Sequence, residues 1–349
     1  MYGNNIKTPY YQYDLDRLRQ TLIAAGNAAS ARGYHLHYAI KANNNPTITN
    51  FISNMGMGAD CVSGNEVSEA LLRGFPAQKV VYAGVGKSDQ EIAFAIEKGI
   101  LCLNCESLEE LKVTEEIACS LQKAAPVAIR VNPSVEANTH HYITTGLEEN
   151  KFGVHLSQLQ EVLDYASASR WIQLKGLHFH IGSQITGMEP FRQLSIKASH
   201  LWRTMEMDRR GANMLNLGGG LGVNYENPET NPMPDFEEYF DVFSKNLSVP
   251  DHVQIHFEPG RSLVAQCGQL ITQVLYTKKG VNREFVITDA GMTELMRPSL
   301  YQSRHLITNL TSHGPMQKYD VVGPICESSD VFGKDLMLPE AKRGDLLAI

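Results

Sequence analysis

Residues 34–42, YHLHYAIKA, decide the fold, because apolar and polar side chains alternate along them as far as a lysine. In an extended strand one face would carry Leu36, Tyr38 and Ile40. The opposite face would carry His35, His37, Ala39 and Lys41. The same alternation recurs in residues 125–133 (APVAIRVNP), 173–184 (QLKGLHFHIGSQ) and 253–261 (VQIHFEPGR). We expect the apolar faces to pack on helices and the polar faces to line the inside of a barrel.

Eight strand-like runs alternate with segments of helical pattern between residues 34 and 261. They begin at residues 34, 58, 80, 101, 125, 173, 213 and 253. Eight parallel strands separated by helices close a (β/α)8 barrel of the TIM type, which we assign to residues 15–260. Helices are expected at residues 64–75 and 107–124, with Asn65 and Ser107 as N-caps.

The sequence changes character after Arg261. Strand-like runs separated by turn residues follow, with little helical periodicity, at residues 268–280, 283–291, 318–328 and 343–349. This pattern predicts a second, mainly antiparallel β domain made of residues 1–14 and 261–349, to which the early TPYYQYD segment supplies a strand.

Composition narrows the range of partners. The 349 residues are 43% hydrophobic, carry a net charge of −7 and contain no apolar run long enough to cross a membrane. We expect a soluble, cytoplasmic protein with no nucleic-acid or membrane partner, because binding phosphate needs clustered Lys and Arg. The six cysteines have no framework spacing, and we expect Cys102 and Cys105 to be ordinary reduced thiols.

The residues capable of chemistry fall where the strands end, which is where barrel active sites lie. A lysine in a partly desolvated site, here Lys41, loses its proton more readily and can form a Schiff base with a carbonyl. The glycines Gly218, Gly219 and Gly220 offer backbone N–H groups to a phosphate before an expected helix. Glu258 could keep a pyridine nitrogen protonated, and His180 could stack on the ring. Together these residues describe a site for pyridoxal 5'-phosphate.

Two other interpretations compete with this one. The inward polar residues could form a purely structural, hydrogen-bonded core. Alternatively, His35 with His37 and His178 with His180 could bind a metal, as in a barrel hydrolase. His35 and His37 are expected to lie deeper than Lys41, away from the mouth, so we expect no metal site.

The chain resembles the pyridoxal-phosphate-dependent decarboxylases of the alanine-racemase fold (fold type III), and most of all the diaminopimelate decarboxylases. The motifs that carry the resemblance span nearly the whole chain: YAIKAN at 38–43, HIGSQ at 180–184, GGGLG at 218–222, EPGR at 258–261 and GPICESSD at 323–330. The resemblance implies a barrel, a β domain and a homodimer whose active sites are completed across the interface.

By this likeness Lys41 carries the cofactor and Cys326 of the neighbouring subunit protonates the carbanion after CO2 leaves. The residues implied in cofactor binding are Lys41, Asp60, His180, Ser183, Gly218, Gly219, Gly220, Glu258, Gly260 and Arg261. The residues implied in substrate binding are Arg261, Arg297 and Tyr301 for the distal carboxylate and Glu327 for the distal amine. Matching both distal charges favours meso-2,6-diaminopimelate, which would yield L-lysine and CO2 as the last step of lysine biosynthesis.

Several alternatives stay open. A decarboxylase of ornithine, arginine or carboxynorspermidine shares the cofactor chemistry, as does a racemase of the same fold or a non-catalytic pyridoxal-phosphate carrier. Arg297 and Tyr301 could also be a surface pair near a loop. Members of the family usually continue beyond the GDLLAI ending to a tyrosine that reaches the cofactor, and the printed sequence stops before it, at Ile349.

Overall fold

A computed structural model describes residues 6–133 and 151–349, so the first five residues of the expected β domain lie outside the described part. The chain divides into two compact units. One contains residues 18–223 and 234–265. The other contains the residues up to Arg17 together with residues 224–233 and 266–349. The predicted bounds therefore change: residues 15–17 and 224–233 belong to the second unit and residues 261–265 to the first.

The first unit is built on a closed barrel of eight parallel strands, as predicted. Each strand pairs with the next one along the chain, and the register His35↔His256 joins the first strand to the last. The barrel strands are β2 (His35–Ala39), β3 (Gly58–Cys61), β4 (Val80–Tyr82), β5 (Cys102–Cys105), β6 (Ala125–Arg130), β7 (Ile172–His178), β8 (Met214–Asn216) and β9 (Gln254–Phe257).

One helix precedes the first barrel strand, one follows the last, and the others connect successive strands, because parallel neighbours need a crossover connection. They are α1 (Leu15–Ser30), α2 (Pro46–Asn54), α3 (Gly64–Leu72), α4 (Asp89–Lys98), α5 (Leu108–Leu121), α6 (Leu156–Ala168), α7 (Glu189–Thr204), α8 (Phe236–Asn246) and α9 (Arg261–Val264). Ser107 caps α5 by accepting a hydrogen bond from the backbone N–H of Glu110, as predicted. Ser63, not Asn65, caps α3, because its hydroxyl reaches the backbone N–H of Glu66.

Apolar packing holds the helices on the outside of the barrel. Phe257 of β9 lies within 6 Å, centroid to centroid, of the rings of Tyr239, Phe240 and Phe243 on α8. Each such ring, fully buried, stabilises the fold by about 1.5–3 kcal/mol. The strands also bury polar side chains, which include His37, Asp60, Asn104, Arg130, His178, Asn216 and His256. Side chains of this type need partners when they are buried, and their contacts define the candidate site.

The second unit is a seven-stranded sheet in the order β12-β15-β10-β11-β13-β14, with β1 also paired to β10. The pairs are antiparallel except β11 with β13, which is parallel. The TPYYQYD segment does supply a strand. The elements are β1 (Tyr10–Tyr13), β10 (Gly268–Lys279), β11 (Glu284–Thr288), α10 (Arg297–Tyr301), β12 (Thr308–Asn309), β13 (Met316–Val322), β14 (Val331–Pro339) and β15 (Leu346–Ala348). None of the helices in the described ranges is long and apolar enough to span a membrane.

Candidate active site

Lys41 and Asp60 form an ion pair where the first two barrel strands end. β2 stops at Ala39, and a 3-10 turn, Ile40–Ala42, carries Lys41, so the strand alternation ends before the lysine. Its Nζ lies 3.1 Å from Oδ2 of Asp60. The lysine side chain is 49% exposed, whereas that of Asp60 is 1% exposed. The amine is therefore accessible from outside while its partner is fixed in the barrel.

The pKa values of Lys41 and Asp60 depend on the charges around the pair, and that of Lys41 differs from the sequence-based expectation. Burial alone would lower the pKa of Lys41, as expected, but the carboxylates of Asp60 and Glu258 outweigh it and raise this pKa above its ordinary value. Burial raises the pKa of Asp60 to about 7, and the charge of Glu258 adds to the effect while that of Lys41 opposes it. The expectation of a readily deprotonated lysine is thus wrong for the protein alone, because two acids surround the amine.

Glu258 is buried directly after β9 and is held by three side chains. Nε2 of His178 donates to its Oε2 at 3.0 Å, and Nδ2 of Asn216 donates to its Oε1 at 2.7 Å. Nδ2 of Asn104 lies 3.5 Å from the same Oε1. Burial opposes ionisation, yet the neighbouring His178 and Lys41 keep the pKa of Glu258 well below its usual range. The barrel therefore holds an ionised carboxylate at the end where its strands finish.

The three glycines pack against the backbone beside Glu258. A Cβ on Gly218 would lie 2.2 Å from the carbonyl oxygen of Phe179, and one on Gly219 would lie 2.1 Å from that of Glu258. Gly218 and Gly220 also have positive φ angles of 69° and 109°, which favour glycine. The expected helix does not follow them, because α8 begins only at Phe236. We call residues 218–220 the glycine loop.

His180, Ser183 and Arg261 lie beside the glycine loop. The backbone N–H of Gly219 points to Nδ1 of His180 at 3.4 Å, and Nη2 of Arg261 donates to Oγ of Ser183 at 3.3 Å. Burial lowers the pKa of His180 well below its ordinary value, and the charge of Arg130 adds to this effect, so the ring is neutral. Gly260 packs against Ala39 and Ala42, the neighbours of Lys41, with a Cβ position 3.0 and 3.1 Å from their Cβ atoms.

The described structure thus gathers nine of the sequence-derived residues at one end of the barrel. They are Lys41, Asp60, His180, Ser183, Gly218, Gly219, Glu258, Gly260 and Arg261, and Gly220 follows in the same loop. Sequence reasoning missed Asn104, next to last in β5, and Asn216, the last residue of β8, because nothing in the sequence shows which buried carboxylate they contact.

A buried ion pair that we did not predict lies next to this cluster. Nη1 of Arg130 donates to Oε1 of Glu106 at 2.7 Å, and both side chains are buried. Glu106 also accepts from the backbone N–H groups of Gly84 and Gly153. The guanidinium additionally covers the ring of Phe152 at 4.7 Å. Arg130 stood on the inward face in the sequence pattern, which was a signal that could have identified it.

The remaining sequence-derived residues lie in the second unit. Cys326 and Glu327 are exposed on the loop between β13 and β14. Asp330 fixes this loop by accepting from the backbone N–H of Ile325 at 2.8 Å. Arg297 begins α10 and lies over the rings of Tyr225 and Tyr301, at 5.3 and 5.2 Å from their centroids. The hydroxyl of Ser299 on α10 donates to the carbonyl of Ser329 at 2.6 Å, which ties Arg297 and Tyr301 to the Cys326 loop.

Two histidines of the rival metal site, His37 and His178, are hydrogen-bonded to other groups. Nδ1 of His37 contacts the carbonyl oxygen of Lys79 at 3.0 Å, and its Nε2 contacts Nδ1 of His256 at 2.8 Å. His178 contacts Glu258. Within residues 6–133 and 151–349, no group of three His, Cys, Asp or Glu side chains is placed to hold a metal ion.

Comparison with known proteins matches this geometry to one family. Residues 15–265 match the model of the pyridoxal-dependent decarboxylase, pyridoxal binding domain. The chain is 49% identical to a diaminopimelate decarboxylase of Bacteroides thetaiotaomicron, over 99% of this chain and 89% of that one. It is 44% identical to a diaminopimelate decarboxylase of Helicobacter pylori, over 98% of this chain and 84% of that one.

Solved structures agree. A crystal structure of diaminopimelate decarboxylase from Helicobacter pylori complexed with L-lysine superposes with a TM-score of 0.93 at 43% identity, covering 99% of this chain and 86% of that one. A lysine/ornithine decarboxylase from Vibrio vulnificus, at 24% identity and a TM-score of 0.83, shares the fold. The fold and the family implied by the sequence motifs are both confirmed. The chain belongs to the diaminopimelate decarboxylases, a family of carboxy-lyases built on the pyridoxal-dependent decarboxylase domain.

Proposed function

We propose that this protein uses pyridoxal 5'-phosphate to decarboxylate meso-2,6-diaminopimelate, giving L-lysine and CO2. The observation that carries the proposal is the arrangement of Lys41 and Glu258 at the end of the barrel. An accessible amine and an ionised, buried carboxylate lie close enough that the charge of one shifts the pKa of the other. A pyridine aldehyde needs both groups, one to hold it covalently and one to face its ring nitrogen.

The residues present fit this cofactor. Oδ1 of Asp60, Oδ1 of Asn104 and Nδ1 of His178 are buried and have no hydrogen-bond partner among the described residues. Such atoms are costly when left unpaired, so their presence near Lys41 and Glu258 indicates that a polar group belongs beside them. The glycine loop brings backbone within reach of the same region without side chains of its own.

We assign the roles accordingly. Lys41 would hold the cofactor covalently, Glu258 would face its ring nitrogen and His180 would cover its ring. Ser183, the glycine loop and Gly260 would hold the phosphate, with Arg261 oriented by Ser183. Asp60 would keep the freed amine of Lys41 nearby through their ion pair. When bound, the protonated cofactor ring withdraws electrons from the substrate's α-carbon and so allows CO2 to leave.

The substrate's distal end would be recognised by residues of the second unit. Arg297 and Tyr301 offer a cation and a hydroxyl for a distal carboxylate, and Glu327 offers a carboxylate for a distal amine. Arg261, which belongs to the barrel unit, offers a further cation. A homodimer would bring the exposed Cys326 thiol of one subunit to the partner's barrel, where it would deliver a proton to the α-carbon. Exposure of both Cys326 and Glu327 on one loop supports this role.

The closest rival is a decarboxylase of ornithine, arginine or carboxynorspermidine. These substrates lack a distal carboxylate for Arg297 to bind. A racemase would exchange the α-hydrogen and release no CO2. A carrier without catalysis would have no use for a cysteine and a glutamate presented together on an exposed loop.

The decisive experiment measures release of labelled CO2 from carboxyl-labelled meso-diaminopimelate by the purified protein with added pyridoxal phosphate. Ornithine, arginine and carboxynorspermidine are assayed in parallel at equal concentrations. We expect kcat/KM for meso-diaminopimelate to exceed the others by about 100-fold or more, since a site built to bind a polar group of its substrate discriminates against substrates that lack that group. A higher kcat/KM for any of the three, or exchange of the α-hydrogen without CO2, would overturn the proposal.

A further inference from the structure

The carboxylate of Glu258 is oriented by donors from three different strands. His178 belongs to β7, Asn216 to β8 and Asn104 to β5, and all three side chains are buried. Two of the hydrogen bonds are short, at 3.0 Å to Oε2 and 2.7 Å to Oε1. Because each oxygen has its own donor, the carboxylate plane is fixed.

The amide of Asn216 has only one possible orientation. Its Oδ1 accepts from the backbone N–H of Gly218 at 2.9 Å, so its Nδ2 must face Glu258. The backbone N–H of Glu258 in turn donates to the carbonyl of Gly218 at 2.8 Å. Asn216 therefore connects Glu258 to the glycine loop. Its amide is a neutral donor, and the hydrogen bond from the backbone of Gly218 fixes its orientation.

His178 differs from the two asparagines because it can also carry charge. A carboxylate oxygen can only accept, so Nε2 of His178 must bear the hydrogen of this contact. The titratable or charged groups whose electrostatic effects reach Glu258 from the surrounding elements are Lys41, Asp60, His37, His180, Cys102, Tyr239 and His256.

We propose that His178 is a positioning residue of the cofactor site, whose Nε2–H holds Glu258 as an oriented carboxylate so that the ring nitrogen of the bound cofactor stays protonated. This inference rests on the proposed function, because it needs Glu258 to face that nitrogen. Glu258 has a further lone pair on Oε2 beyond the contact with His178, which leaves it able to accept from the ring. Loss of the His178 donor would free the carboxylate to rotate or to take up a proton.

Two neutral replacements of different length test the inference. Gln at position 178 can reach Glu258 with an N–H donor, whereas Asn is one methylene shorter and cannot. The variants His178→Gln and His178→Asn are loaded with pyridoxal phosphate that carries 15N in its ring, and the 15N chemical shift reports whether that nitrogen is protonated. His37→Gln, which changes a buried imidazole bonded to Lys79 rather than to Glu258, is the matched control.

We expect wild type, His178→Gln and His37→Gln to show the shift of a protonated ring nitrogen. His178→Asn is expected to move toward the unprotonated shift and to lose about 10- to 100-fold in kcat, the effect of removing a hydrogen bond to a charged group. A protonated shift in His178→Asn, or an equal loss in both His178 variants, would overturn the proposal. Far-UV circular dichroism serves to check that each variant is folded.

A measurement on the wild-type protein keeps the inference testable even if His178→Asn does not fold. With 15N-labelled histidine, the His178 ring must show a hydrogen on Nε2 in the cofactor-loaded protein, and an unprotonated Nε2 would reject the proposal. The variant Glu258→Gln separates this inference from the proposed function. If Glu258→Gln retains a protonated ring nitrogen, the role of Glu258 itself fails, whatever His178 does.

Discussion

Lys41 combines exposure with a buried counter-charge, and this combination suits a residue that must be reached by a cofactor and then kept in place. Its side chain is half exposed, yet Asp60 holds the amine at 3.1 Å from a carboxylate that is almost fully buried. An exposed ion pair would contribute little, but here one partner cannot move. The ion pair therefore fixes the position of the Lys41 amine when no cofactor is covalently bound to it.

Replacing Lys41 by Ala is expected to abolish decarboxylation and to remove the visible absorbance of the covalently bound cofactor. The physical reason is that Lys41 is the amine that the described structure places beside Asp60. Absorption spectra and CO2 release measure the two effects. Lys79→Ala is the control, because the side chain of Lys79 is exposed and its Nζ donates to the carbonyl of Gly56. Persistence of the absorbance in Lys41→Ala would show that another lysine carries the cofactor.

Cys326 is exposed, in contrast to the buried cysteines of the barrel strands, Cys61, Cys102 and Cys105. If its thiol delivers the proton after CO2 loss, Cys326→Ala should slow turnover by about 10²- to 10⁴-fold, the usual contribution of a general acid. The affinity for pyridoxal phosphate should not change, as measured by absorbance titration. Cys119→Ala, which removes another cysteine outside the barrel strands, should have wild-type turnover. Undiminished turnover of Cys326→Ala would reject the acid role.

At the scale of elements, the glycine loop is a packing junction as well as a candidate phosphate site. Gly219→Ala would place a Cβ 2.1 Å from the carbonyl oxygen of Glu258, so the loop must move away from the end of β9. We expect the free energy of unfolding to fall by about 1–3 kcal/mol and the Kd for pyridoxal phosphate to rise at least tenfold. Gly187→Ala, with open space around its Cβ, is the control. Equal behaviour of both variants in urea unfolding and cofactor titration would contradict this account.

The buried His37 of β2 should make the free energy of unfolding depend on pH. Burial lowers the pKa of His37 from 6.5 to about 4. The unfolded chain therefore takes up this proton at a higher pH than the folded chain does. Stability due to neutral His37 is complete above pH 6.5 and is lost as the pH falls toward 4, by about 1.4 kcal/mol per pH unit.

Urea unfolding of the cofactor-free protein between pH 7 and pH 4 measures this effect. His37→Gln, which cannot protonate, is expected to show a shallower fall in the free energy of unfolding than wild type. The difference between the two proteins isolates His37 from other groups, including Asp60, whose raised pKa acts in the opposite direction over this range. Parallel curves for the two proteins would exclude a neutral, buried His37.

At the scale of the whole molecule, a homodimer with shared sites makes a quantitative prediction. If each site takes Lys41 from one subunit and Cys326 from the other, neither Lys41→Ala nor Cys326→Ala alone has an intact site. After the two variants are mixed and reassociated, about half of the dimers are mixed, and each of these has one intact site. About a quarter of wild-type activity should return. Sites confined to single chains would give no recovery on mixing, and sedimentation analysis should confirm the dimer.

The alternation of side chains determined much of this protein from sequence alone. Residues two apart share a face, and parallel strands end at the same side of a barrel, so the pattern predicted the eight strands and brought Lys41, His180 and Glu258 to one end. Local sequence rules predicted helix ends less well, because more than one residue could fill the same position. Ser63 displaced Asn65 as a cap. Prolines at 228, 232 and 234 keep helix from following the glycine loop.

Only the tertiary structure decided which polar groups are partners. Asn104 and Glu258 are 154 residues apart, and His178 and Glu258 are 80 apart, so their contacts exist only once the barrel closes. The charge of Lys41 was likewise undetermined by its own segment, because the acids that raise its pKa come from β3 and the end of β9. Periodicity is a property of neighbouring residues in the chain, whereas hydrogen bonding and electrostatics depend on distances in space. The sequence therefore determined where the chemical groups would collect, and the closed barrel determined their protonation and orientation.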